Sequence, residues 1–119
     1  MTFRFEKLDV WHKAIEFAEI VYQLTKGFPA DERFGLTNQM RRAAVSISSN
    51  IAEGIGRSTA KEKARFVEIA YGSLLEVVSQ THLARRLQML TSDQFEQITS
   101  VADDVARMLS GFRNSLNEG

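Results

Sequence analysis

The chain has 119 residues and 13.4 kDa, with 15 Lys+Arg against 15 Asp+Glu, 44% apolar residues and no cysteine. One domain typically takes roughly 100–200 residues, so this is a single folding unit, and the missing cysteines exclude a disulfide framework, a thiolate nucleophile and every Cys-based metal site. Balanced charge gives the whole chain no general pull toward nucleic acid or anionic membrane, and the absence of a long apolar run or an apolar stretch in Met1–Glu6 predicts neither a membrane span nor a secretory signal, hence a cytoplasmic protein.

One proline and seven glycines leave long helices as the first expectation, because the strongest helix breakers are nearly absent. The first helix is predicted over 10–26, capped by Asp9, with the seam Trp11, Ala14, Ile15, Ala18, Val21, Tyr22 and Thr25. It ends at Gly27-Phe28-Pro29. The second helix is predicted over 32–55, capped by Asp31. Val45-Ser46-Ile47-Ser48-Ser49-Asn50 alternates like a strand, but Leu36, Met40, Ala43, Ala44, Ile47 and Ile51 keep the helical step and a lone strand has no partner. Its serines are placed to bond back to preceding carbonyls. After Gly54-Ile55-Gly56, Thr59 and Glu62 spell a capping box for a third helix over 60–89, whose apolar face is Phe66, Val67, Ala70, Leu74, Val77, Val78, Thr81, Ala84 and Leu87. A second box, Thr91 with Gln94, opens a fourth helix over 92–116. Its seam, Phe95, Ile98, Ala102, Val105, Leu109, Phe112 and Leu116, steps by three and four.

Short connections force successive helices antiparallel, which predicts an all-α, up-down-up-down four-helix bundle with crossings of about 20°. A further stripe on the first helix, Val10, Phe17, Ile20 and Leu24, joins Val101 and Met108 of the fourth as apolar surplus. Such surplus on a small domain predicts a subunit interface, the alternative being that these residues widen the core-facing arc. Arg41 and Arg42 belong with that interface, as ion-pair partners of a neighbouring helix or subunit.

Catalytic chemistry finds little footing. His12 and His82 sit in no nucleophile turn, Asp9-x-x-His12 is half of a di-iron ligand pattern, and Glu53, Glu68 and Glu76 would form an acid/base or metal-dependent hydrolytic centre only if they shared a cleft. The predicted protein is no enzyme and carries neither metal nor cofactor; no small-molecule substrate or membrane partner is expected. Gly54-Ile55-Gly56-Arg57 lacks the ending of a phosphate loop and reads as a helix-helix turn. One charge asymmetry stands out. Residues 41–65 hold Arg41, Arg42, Arg57, Lys61, Lys63 and Arg65 against Glu53 and Glu62, six positive to two negative. The turn between the second and third helices gathers Arg57, Lys61, Lys63 and Arg65 at one end, suited to a phosphate backbone; a merely solvated end is the alternative.

Several runs are familiar together: Leu8-Asp9-Val10-Trp11-His12-Lys13-Ala14, Gln39-Met40-Arg41-Arg42-Ala43-Ala44-Val45-Ser46-Ile47, Ser49-Asn50-Ile51-Ala52-Glu53-Gly54 and Ile69-Ala70-Tyr71-Gly72-Ser73-Leu74-Leu75-Glu76. With them the chain resembles the bacterial four-helix-bundle proteins encoded in 23S rRNA intervening sequences. The resemblance implies a homopentamer and, by kinship with the accessory protein of diversity-generating retroelements, contact with RNA or a nucleic-acid enzyme. Ser48 stands where many relatives have proline, which implies a straighter second helix. The neutral charge departs from the basic surface of the retroelement protein, and a pure protein adaptor without nucleic-acid affinity is the alternative.

Overall fold

A computed structural model describes residues 2–118. Four α-helices, α1 (Asp9–Thr25), α2 (Leu36–Ile55), α3 (Ala60–Arg86) and α4 (Ser92–Glu118), form an up-down-up-down bundle with extents of 45 × 24 × 22 Å. Short 3₁₀ segments at Arg4–Lys7 and Ala30–Glu32 precede α1 and α2. No strand occurs among the described residues, and no helix there is long and apolar enough to cross a membrane. The predicted all-α architecture is therefore the observed one.

The seams of α2 and α4 are those the sequence spells. Leu36, Met40, Ala43, Ala44, Ile47 and Ile51 are buried, and so are Ile98, Ala102, Val105 and Leu109. On α1 the seam is turned from the prediction. Val10, Ala14, Phe17, Ala18, Val21 and Thr25 are buried, while Trp11 and Ile15 are half-buried and Tyr22 is exposed. Val10 and Phe17, expected on a subunit interface, thus lie in the chain's own core. Ile20, Leu24, Val101 and Met108 are half-buried and pack against that core. The apolar surplus is absorbed by a wider core-facing arc, since bulky side chains beside a seam lean inward over the neighbouring helix.

The helix ends also differ in part. Asp9 is the first residue of α1 and Leu8 its cap; the carboxylate sits by the helix N-terminus without bonding to it. Asp31 does not cap α2. Residues 30–32 make a 3₁₀ turn instead, and Glu32 Oε1 accepts the Leu36 N–H at 3.1 Å. Both capping boxes form: Thr59 Oγ1 accepts from Glu62 N–H, and Thr91 and Gln94 bond reciprocally. The end of α3 comes three residues early, at Arg86. Met89 N–H bonds Ala84 O, Gln88 N–H bonds Arg85 O, and Gln88 has φ 61°, a Schellman closure with glutamine in the left-handed position. Ser48 Oγ donates to Val45 O within a regular α2, the back-bonding expected of it.

Candidate nucleic-acid interface

The α2–α3 turn owes its shape to glycine. A Cβ on Gly54 would lie 2.7 Å from Phe66 Cβ, so only glycine lets α3 approach α2 this closely here. Phe66, held against α2, carries the Arg57 guanidinium 4.5 Å above its ring. Lys61 and Arg65 are exposed on the first turns of α3, and Lys63 is half-buried. The four predicted basic residues therefore do come to one end of the bundle.

The structure adds to them. The antiparallel layout brings the segment before α1 to the same end, and it packs against both α1 and α2. With it come Arg4 and Lys7, both exposed. Counting residues 2–9 and 53–65, Arg4, Lys7, Arg57, Lys61, Lys63 and Arg65 stand against Glu6, Asp9, Glu53 and Glu62, six positive to four negative, a net +2 in a neutral chain. This segment is built, not loose. Phe3 stacks on Phe5 (centroids 6.1 Å, planes 14° apart), Phe5 meets the Trp11 ring edge-on at 4.9 Å, and His12 Nε2 donates to Glu6 O at 2.6 Å. The alternation Phe3-Arg4-Phe5 is the sequence signal for this strip, and topology brings it to the end of the bundle that carries Arg57.

Arg41 finds its partner inside the chain. Its Nε donates to Thr25 Oγ1 at 2.9 Å, its second nitrogen bonds Tyr22 O, and the guanidinium lies 4.6 Å over the Tyr22 ring. It serves the open carbonyls at the end of α1 instead of forming an ion pair. Arg42 is exposed.

Three large aliphatic side chains stand among the polar residues on the outward face of α3: Ile69, Leu75 and Leu83 are 42%, 55% and 50% exposed, and Leu87, expected on the core face, caps the helix C-terminus and is 52% exposed. Beside that face a cleft of about 300 Å³ runs between α3 and α4, floored by Val67, Tyr71 and Leu109 and rimmed by the Glu68–Arg113 ion pair. On the opposite seam, between α1 and α4, Lys13 bonds Glu16 and Asp104, and Arg107 bonds Asp103 and Asp104. The Glu16 hydrogen bond, with Asp104 behind it, holds the Lys13 ammonium above its ordinary pKa.

The candidate carboxylates have separate occupations. Glu68 is engaged by Arg113, Glu76 accepts from Gln80, and Glu53 is exposed on α2. Among the described residues no three His, Cys, Asp or Glu side chains are grouped to hold a metal ion.

Fold and surface together define an antiparallel four-helix-bundle domain with one basic end and three exposed aliphatic side chains on α3. The comparisons with known proteins give that class a family. Residues 6–111 match the model of the 23S rRNA-intervening sequence protein family, and the chain belongs to it. No curated protein matches. A solved structure from Bacteroides thetaiotaomicron VPI-5482, described as a protein of unknown function from the S23 ribosomal protein family, superposes with a TM-score of 0.78 at 22% identity. The match covers 87% of this chain and 97% of that one.

Proposed function

We propose that the protein is a non-enzymatic scaffold of the cytoplasm: a homo-oligomer, pentameric as the family resemblance favours, that holds RNA or an RNA-bound enzyme weakly through its basic end. The observation that carries this reading is the segregation of charge. A chain with no net charge gathers a +2 excess, from Arg4, Lys7, Arg57, Lys61, Lys63 and Arg65 against Glu6, Asp9, Glu53 and Glu62, at one end of an elongated bundle. Such a patch attracts a polyanion at short range while leaving the rest of the surface indifferent to it. The aliphatic residues on α3 support the oligomeric part, because Ile69, Leu75 and Leu83, three half-exposed large side chains on the outward side of one helix with Leu87 at its cap, are surface that a subunit contact would cover. A closed ring would repeat the basic end around one rim, so that several weak contacts act together. The family's association with 23S rRNA makes structured RNA the natural first probe.

The test is a titration of labelled structured RNA at about 50 and 200 mM salt, where each phosphate contact adds about 0.7–0.9 to the logarithmic salt slope. The parent should bind at the lower concentration and release steeply at the higher. Changing Arg57, Lys61 and Lys63 together to Glu should abolish binding with the helical spectrum unchanged. If the parent ignores RNA at low salt, the basic end is only solvated and the protein-adaptor reading replaces this one.

A further inference from the structure

We propose that the nucleic acid taken by this end is single-stranded, and that it is held by unpaired bases stacked on Phe3 and on the Arg57 guanidinium. The inference rests on the reading above and adds the class of ligand.

Charge alone does not distinguish a duplex from a single strand, since both present phosphates. What distinguishes them is access to the faces of the bases. A duplex hides those faces in its own stack, whereas an unpaired strand offers every one of them to a flat side chain. This end of the bundle displays two flat groups among its cations. Phe3 is 57% exposed, and beside it lies the near-parallel Phe5 ring, which in turn rests edge-on against Trp11 of α1. A ring with an ordered, near-parallel neighbour and more than half of its surface open offers a base a flat surface on which to stack. The second group is the exposed guanidinium of Arg57, lying over the Phe66 ring at 4.5 Å. The ring holds that guanidinium from one side, and stacked Arg planes accept bases much as aromatic rings do. Phe66 itself owes its position to the glycine notch at Gly54.

Exposed Arg4 and Lys7 lie on the segment that carries Phe3, and exposed Lys61 and Arg65 on the first turns of α3 after Arg57, so a strand reaching from one group to the other meets cations at both. Stacking reads the face of a base and not its edge, so the expected preference is for strandedness and not for sequence.

The experiment compares fluorescence anisotropy of labelled oligouridine of about 20 nucleotides with an RNA duplex of similar length, at about 50 mM salt. Oligouridine is chosen because uracil stacks weakly on itself. The parent should bind oligouridine more tightly than the duplex. Phe3→Leu, which keeps apolar bulk but removes the π-face, should weaken oligouridine binding by about tenfold and leave the duplex unchanged. Arg57→Lys, which keeps the charge but not the plane, should do the same to a smaller degree. Equal affinity for both ligands, or oligouridine binding unmoved by both substitutions, would overturn the stacking proposal while the electrostatic reading stands. Failure of the parent to bind either ligand would remove both.

Discussion

Arg41 and the glycines show how single side chains fix the spacing of helices. The Thr25 hydroxyl donates to Val21 O at 2.7 Å while accepting from Arg41 Nε, so one buried hydroxyl and one guanidinium close the last turn of α1 against α2. Lysine has no second donor in the right plane. Arg41→Lys is expected to destabilise the bundle by about 1–2 kcal/mol in urea unfolding, since hydrogen bonds to charged groups are worth about that much and a buried partner is left short. Two glycines give opposite expectations. Ala at position 54 must displace Phe66, and overpacking of this kind costs about 1–3 kcal/mol. Ala at position 111, where an added Cβ meets nothing within 4 Å, should stabilise α4 by about 0.5–1 kcal/mol through helix propensity. The same unfolding measurement on Gly54→Ala and Gly111→Ala decides both. Sequence placed Arg41 off the seam correctly but gave it an ion-pair partner, because periodicity tells which side chains leave the core and not which acceptors they meet.

Among the elements, α1 explains why part of the core was misread. Two stripes on it keep the three-and-four step, one through Trp11 and Tyr22 and one through Val10 and Phe17, and both are apolar. What separates them is the polar tip. Indole N–H and phenol O–H favour positions with one edge in water, so Trp11 and Tyr22 stay partly exposed and the purely apolar Phe17 enters the core. In α4 no competing stripe exists, and its seam was legible outright. The end of α3 was misplaced for a different reason: the sequence offers no glycine there, and the left-handed turn is made by Gln88 at φ 61°. That position favours glycine, which carries no Cβ into the left-handed region. Gln88→Gly is therefore expected to raise stability by about 0.5–1 kcal/mol, seen as an upward shift of the thermal midpoint.

For the whole molecule, the charge pattern was readable where it is local in the chain and unreadable where it is not. Arg57 to Arg65 lie within nine residues, whereas Arg4 and Lys7 join them only because α2 returns to the end where α1 begins. The aliphatic surface shows the same limit. The sequence pointed to α1 for a subunit interface, but α1 spends its second stripe on the core, and the unspent apolar surface lies on α3 at Ile69, Leu75 and Leu83 and at Leu87 just beyond it. If that face joins subunits, the parent should scatter light as a multiple of 13.4 kDa at micromolar concentration. Leu75→Glu with Leu83→Glu should then reduce the mass to that of one chain while circular dichroism stays helical, because both residues lie outside the core and a charge there is tolerated only by water. Phe17→Glu should behave in the contrary way: it buries an unpaired carboxylate at a site with no exposed surface, so helicity is lost along with any assembly. A parent mass of one chain at micromolar concentration would refute the oligomer. A double α3 variant that keeps the parent's multiple would leave the oligomer standing and move its interface off α3. Loss of mass in the Leu75/Leu83 variant but loss of fold in the Phe17 variant would separate surface from core, the distinction on which the assembly depends.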